Sequence, residues 1–177
     1  MKSESLKAVL ILAFLVFATS VMLNTAQAAD LAMVDKRFLE NAAQSNKTEI
    51  EGSQLAKTKT KNPDILSFAE KLIEDHTKAN SELAALAKSK GVEVPNEPSI
   101  MEKGKLKYLS TRDGAGFDES FVNNIGIAAH EVTIKLFETA AKEAKDPEIK
   151  QFAQKMLPEL NMHLEHAKEL KAKVNKK

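Results

Sequence analysis

The feature that most constrains the fold is a four-then-three spacing of apolar residues in two long stretches. Such spacing places the side chains on one face of an α-helix and is typical of helices that pack side by side in a bundle. The first stretch has Ile65, Ala69, Leu72, His76, Ala79, Leu83 and Leu86. The second has Ile149, Ala153, Met156, Leu160, His163, Ala167, Leu170 and Val174.

The starts and ends of these helices are marked by local sequence. Asn62-Pro63-Asp64 and Asp146-Pro147-Glu148 each supply a capping side chain, a proline at the first helical position and an acid in the first turn. Gly91 follows two lysines closely, which indicates a helix end. We predict an all-α protein, an antiparallel four-helix bundle over residues 33–174. Its helices lie near 33–60, 63–90, 117–144 and 147–174.

The segment 91–116 separates the second and third helices and is long for a connection in a bundle. We expect a short helix near 99–109. The segment is either a lid or interaction loop, or a crossover that covers one end of the core. The third helix is apolar around most of its circumference, with Val132 placed on the same side as Phe121. This pattern predicts a deeply buried helix.

The first residues carry the parts of a secretory signal peptide. Lys2 and Lys7 precede the apolar run 8–18, and Ala26-Gln27-Ala28 forms a small-residue cleavage site. We predict cleavage of a signal peptide at 1–28 and an exported protein, periplasmic or secreted. An uncleaved leader would instead make the protein membrane-associated.

Charge and cysteine content exclude several classes of protein. Removing residues 1–28 takes away two Lys and one Glu, which leaves 24 basic and 24 acidic residues of the original 26 and 25. Because no basic stripe is present, nucleic acid is not an expected partner. With no cysteine, a lipid anchor on cysteine and a disulfide are both excluded. A protein or envelope partner remains open.

Polar residues interrupt the apolar faces at similar heights. His76 and His163 occupy core-facing positions, and His130 lies on an apolar side of the third helix. Glu49 belongs to the matching series on the first helix. Each lies about 20–25 Å along its helix, at 1.5 Å per residue. We therefore predict that Glu49, His76, His130 and His163 meet near mid-height, where they could hold zinc, copper or iron.

Two metal-free interpretations stay open. Glu49 and His76 can form a closed polar pair, because a buried charge requires a partner. Buried polar residues can also fix the register of the helices. Asp75 and Glu131 are expected on the surface, with a supporting role for the histidines as the alternative. His166 is expected to be exposed. Pro158 is expected to kink the fourth helix before His163.

Several motifs together resemble a known family. They are the run 46–56, Phe68-Ala69 leading to Asp75-His76-Thr77, Gly91-Val92, Phe117-Asp118, and Leu157-Pro158 before His163. In order and spacing this set resembles the bacterial family called domain of unknown function 4142, over about residues 33–172. The resemblance implies a ferritin-like, usually exported bundle, often described as a membrane or outer-membrane protein.

Di-iron ferritins carry a Glu-x-x-His motif on two helices, and this chain departs from it. Ile73 and Leu160 stand three residues before His76 and His163. A mononuclear histidine-rich site or a metal-free core is therefore expected. The leading expectation is a non-enzymatic metal-binding bundle. The alternatives are a metal-free structural or stress-related envelope module, and an oxidoreductase that uses the same cluster.

Overall fold

A computed structural model describes residues 31–174 of the 177. The predicted leader at 1–28 lies outside the described residues. In the described part every regular element is a helix, as the apolar spacing predicted, and none of these helices is long and apolar enough to cross a membrane. The elements are α1 (Met33–Lys59), α2 (Pro63–Ser89), α3 (Ile100–Ser110), α4 (Gly114–Phe121), a π-helical segment (Val122–Ala129), α5 (His130–Glu143) and α6 (Pro147–Val174).

The predicted helix starts are confirmed by their hydrogen bonds. The Asn62 side chain accepts from the backbone N–H of Asp64 at 3.1 Å, and Asp146 accepts from that of Glu148 at 2.9 Å. Each bond satisfies a backbone donor that has no partner within the helix. α2 ends as predicted before Gly91, whose φ of 71° lies in the left-handed region that glycine tolerates.

The third predicted helix differs from the structure in two ways. It begins at Gly114 rather than at 117, and it is not a continuous α-helix, because residues Val122–Ala129 are π-helical. The preceding segment contains α3, close to the short helix expected at 99–109. Ser99 caps α3 by accepting from the backbone N–H of Glu102 at 3.3 Å.

The π-helical segment explains a wrong prediction about Val132. This side chain is 68% exposed, whereas Phe121 is fully buried. A π-helix holds more residues per turn than the 3.6 of an α-helix. Positions beyond the segment are therefore rotated away from the face that α-helical spacing assigns to them, and Val132 turns toward solvent.

Contacts at the helix ends show how neighbouring helices are oriented. Lys90, after the end of α2, lies 2.8 Å from Asp146 before α6, and Lys173 at the end of α6 lies 3.3 Å from Asp64 at the start of α2. These two helices therefore run in opposite directions. Asp35 in α1 accepts from the backbone N–H groups of Lys145 and Asp146 at 2.9 and 2.8 Å, which joins the start of α1 to the α5–α6 connection.

The core consists of two apolar clusters with a polar layer between them. Along α2, Leu72 belongs to one cluster and Ala79 to the other, with His76 in between. Along α6, His163 lies in the same way between Leu160 and Ala167. The buried polar side chains of this layer are Asn46, Glu49, Ser53, Asp75, His76, His130, Thr133 and His163.

Candidate metal centre

Three histidines from three helical elements meet in the polar layer. The ring centroids of His76, His130 and His163 are 5.3 to 5.5 Å apart, so that the rings form a nearly equilateral triangle. All three residues are 0–2% exposed. One ring nitrogen from each lies within 4.8 Å of those from the other two. At this spacing, three imidazoles can bind one ion between them.

Two of the histidines are held from outside the triangle by α1 and α2. His76 Nδ1 lies 3.0 Å from the side-chain oxygen of Asn46, and His163 Nε2 lies 2.9 Å from the carboxylate of Asp75. The other carboxylate oxygen of Asp75 accepts from Lys71 Nζ at 2.8 Å. Acceptors at these positions fix the ring tautomer, because the nitrogen that faces them carries the proton.

The third histidine is held by the π-helical segment. His130 Nδ1 lies 3.0 Å from the backbone carbonyl oxygen of Ile125, five residues earlier. The backbone N–H of His130 is directed instead to the carbonyl of Ile127. The local π geometry therefore leaves the Ile125 carbonyl to the imidazole. As with His163, the outward nitrogen of His130 is the donor, and its inward nitrogen is left without a partner.

Two of the three inward nitrogens, His130 Nε2 and His163 Nδ1, have no hydrogen-bond partner. The third, His76 Nε2, is paired with Glu49 Oε2 at 2.6 Å. Buried polar atoms in native proteins are nearly always paired. Three satisfied outer nitrogens, with the inner nitrogens directed at one another and at a carboxylate, form an arrangement that a metal ion can complete.

Glu49 lies beside the histidine triangle. Its Oε2 is 2.6 Å from His76 Nε2, an ion-pair contact, and 3.8 Å from His130 Nε2. Its other oxygen, Oε1, accepts from the Thr133 hydroxyl at 3.2 Å. The carboxylate is thus oriented with one oxygen toward α5 and the other toward the histidines.

The charges of the site shift its pKa values. Burial raises the pKa of Glu49, but the nearby charges of His76 and His130 outweigh burial and bring it to about 2. Burial lowers the pKa of His76, but the Glu49 carboxylate outweighs it, so the net shift is upward. Burial, reinforced by the other two histidines and opposed by Asp75, lowers the pKa of His163 to about 4. Near neutral pH, Glu49 is therefore ionised and His163 is neutral, both in their metal-binding forms.

The size of the triangle suits a first-row transition metal after a small contraction. Three atoms no more than 4.8 Å apart have a common point within about 2.8 Å of each of them. Zinc–nitrogen bonds are about 2.0–2.1 Å long, so each ring needs to move inward by less than about 1 Å. Rotation of a side chain about its own bonds is sufficient for such a shift.

The structure thus brings together all four predicted site residues. Whether they bind a metal stays a prediction. Asp75 is not on the surface, as was first expected, because it is 6% exposed; its bond to His163 matches the supporting role that was the alternative. Position 75 follows Leu72 by three residues, so a helix face slightly wider than the strict apolar seam would have included it. Glu131 is exposed, as expected.

Two other expectations concern α6. His166 is exposed, as expected, and its ring packs edge-on against Phe68 with centroids 4.9 Å apart. Pro158 lies inside α6, one turn before the site. The kink expected there stays a prediction.

These observations define a class of protein: an all-helical chain with a buried cluster of three histidines and one carboxylate. A family model described as Domain of unknown function (DUF4142) matches residues 20–170, and the chain belongs to this family. No curated protein and no solved structure matches the chain significantly.

Proposed function

We propose that this chain is an exported, ferritin-like four-helix bundle that binds one transition-metal ion through His76, His130 and His163, with Glu49 as the fourth ligand. One observation carries the proposal. Each imidazole has its outer nitrogen hydrogen-bonded and its inner nitrogen buried in the cluster, where those of His130 and His163 have no partner and that of His76 faces Glu49.

Energetic considerations favour an occupied site. A buried polar atom without a partner costs about 1–3 kcal/mol. Two such atoms meet here, His130 Nε2 and His163 Nδ1, beside the contact between Glu49 and His76. One divalent cation would satisfy both atoms and neutralise the buried charge of Glu49. The convergence of four buried polar side chains at one point therefore supports a ligand.

The donor set favours zinc or copper, with iron as the third candidate. Imidazole suits all three, and a set of three imidazoles with one carboxylate matches the tetrahedral preference of zinc. For the same donors, affinity rises from Fe²⁺ to Cu²⁺ and is lower again for Zn²⁺. The carboxylate-rich donors of a di-iron centre are missing, because Ile73 and Leu160 precede two of the histidines by three residues.

Independent features support the other parts of the proposal. The opposite directions of α2 and α6, together with the link from Asp35 to the α5–α6 connection, fit a ferritin-like order in which α1 and α6 run one way and α2 and α5 run the other. The long connection that contains α3 is then the crossover between α2 and α5. The basic, apolar and small-residue parts of residues 1–28 fit export.

Metal content tests the proposal. Untagged protein, expressed as the full chain and recovered from the exported fraction, is analysed by elemental mass spectrometry. We expect close to one metal ion per chain, and loss of that metal in a His76→Gln/His163→Gln double variant. His166→Gln is the matched control, because this histidine is exposed on the same helix as His163. Metal-free wild-type protein that takes up no added zinc, copper or iron would reject the site.

A metal-free structural module is the second candidate, and one contact favours it. Glu49 Oε2 and His76 Nε2 are 2.6 Å apart, as in an ion pair that neutralises itself. Under this alternative, His163 has no ligand role, and His163→Leu should cost about 1–3 kcal/mol, through the loss of its buried bond to Asp75, without changing the metal content. Under the metal proposal, the same substitution lowers the metal content.

A further inference from the structure

A cavity of about 490 Å³ adjoins the candidate metal centre. It lies between α1, the π-helical segment and α5, and α3 forms its outer wall. Its size is within the range of about 300–1,000 Å³ typical of small-molecule sites. Much of the lining is hydroxyl and amide groups, among them Ser45, Thr48, Asn124 and Thr133.

The inner end of the cavity is the candidate site itself. Glu49 and Thr133 line the cavity, and the Thr133 hydroxyl donates to Glu49 Oε1. The opposite carboxylate oxygen, Oε2, contacts His76, and the whole Glu49 side chain is buried. The three histidines do not line the cavity. Glu49 therefore lies between the cavity, whose lining is partly polar and partly apolar, and the closed histidine triangle.

We propose that this cavity is the path by which a small anion reaches the bound metal and coordinates it beside Glu49. This inference rests on the proposed metal site. The crossover that carries α3 has a role in this proposal, since α3 walls the path through Met101 and Glu102.

Charge determines the class of ligand. A divalent metal held by three neutral imidazoles and one carboxylate carries a net charge of +1, which attracts an anion. The wall of the cavity adds little charge of its own, because Lys105 and Glu102 pair at 2.7 Å.

The test uses azide as the probe and cobalt(II) as a coloured substitute for the bound metal. Full-chain protein loaded with one cobalt(II) ion is titrated with azide, and visible absorption reports the coordination of the ion. We expect a saturable spectral change in the wild type. Ser45→Phe, which fills the cavity from α1 without replacing a site residue, should weaken azide binding at least tenfold while cobalt stays bound.

Matched variants separate the cavity from general effects. Ser81→Phe makes the same substitution on the exposed face of α2 and should leave azide binding unchanged. If Ser45→Phe does not fold, Ala128→Phe fills the cavity from the opposite wall at an exposed position. Circular dichroism and cobalt stoichiometry show whether each variant retains its fold and its site.

The outcomes distinguish this inference from the proposed function. Cobalt binding with no spectral response to azide, or equal azide affinity in the filled and wild-type cavities, would overturn the access path and leave the metal site intact. Failure of the wild type to bind cobalt would overturn both. Azide binding that the filled cavity abolishes, with the Ser81→Phe control unaffected, would support the path.

Discussion

Nδ1 of His130 lies 3.0 Å from the carbonyl oxygen of Ile125, and this contact links the irregular part of the third long helix to the candidate site. In a regular α-helix, the Ile125 carbonyl would accept from a backbone N–H four residues later. Here it accepts from the imidazole, which sets the tautomer and leaves Nε2 free to face the cluster. The π-helical segment is therefore part of the site and not a defect of the helix.

Tight packing around this segment leads to the first prediction. A Cβ added to Gly126 would lie 2.8 Å from the Ala167 Cβ and 3.4 Å from the Phe68 ring. Because α6 cannot move away from the added methyl group without displacing His163, we expect Gly126→Ala to destabilise the protein by about 1–3 kcal/mol. Urea unfolding, followed by circular dichroism, measures the change.

Gly104→Ala is the matched control for that substitution. Gly104 lies inside α3, is exposed, and has no atom within 4 Å of an added Cβ. Alanine favours the helix at such a position, so a gain of about 0.5–1 kcal/mol is expected. Equal effects at the two glycines would contradict the packing described for the π-helical segment.

The second prediction concerns Asp75, which orients His163. Asp75→Asn removes the charge that polarises Nε2–H and lets the amide present a donor to the ring, so the inward nitrogen becomes a poorer ligand. Loss of such a supporting group typically lowers metal affinity about 10–100-fold. Competition with a chromophoric chelator measures this affinity. Glu74→Gln, an exposed neighbour, should retain wild-type affinity. An unchanged affinity in Asp75→Asn would exclude His163 as a ligand oriented by this carboxylate.

The third prediction is a pH dependence of the metal-free protein. His163 has a pKa of about 4 in the folded state, against 6.5 ordinarily. Between pH 4 and pH 6.5 the unfolded chain therefore binds more protons than the folded protein. The stability contributed by the neutral His163 is complete above pH 6.5 and is lost as the pH falls toward 4. At pH 5 the loss is about 2 kcal/mol, from 1.36 kcal/mol per pKa unit.

The pKa shifts of the other site residues do not cancel this loss of stability over the same pH range. The pKa of His76 is raised, so its contribution is already complete below pH 6.5 and does not change further on acidification. Glu49, with a pKa lowered from 4.5 to about 2, loses its contribution only at still lower pH. Urea midpoints of chelator-treated protein at pH 7 and pH 5 test the prediction. The His163→Gln variant should show a much smaller difference, and an equal one would contradict it.

The sequence was sufficient to predict much of the helical fold and the meeting of the site residues. The seam positions of His76 and His163 depend only on helical periodicity, and the two proline-containing caps fix where their helices begin. Positions near the middle of each helix then place these residues at one height, even where the helices run in opposite directions. Such properties are local and periodic, so they can be derived from a single chain.

The remaining features depend on contacts between helices. The π-helical segment has no distinctive composition, and it is stabilised by close approach at Gly52 and Gly126 to neighbouring side chains. Without it, the exposure of Val132 and the bond from His130 to a backbone carbonyl could not be predicted. The burial of Asp75 likewise requires the position of α6. The cavity depends on where α3 lies against α1 and α5, which its short sequence does not specify.

The most direct test of the metal centre is a crystal structure of the metal-loaded protein with anomalous diffraction recorded at the absorption edge of the metal. We expect one anomalous peak about 2.0–2.2 Å from His76 Nε2, His130 Nε2 and His163 Nδ1, with Glu49 as a neighbouring ligand. The outer nitrogens would keep their bonds to Asn46, to the Ile125 carbonyl and to Asp75. A peak at His166 or elsewhere on the surface, with the buried cluster empty, would contradict the proposed metal centre.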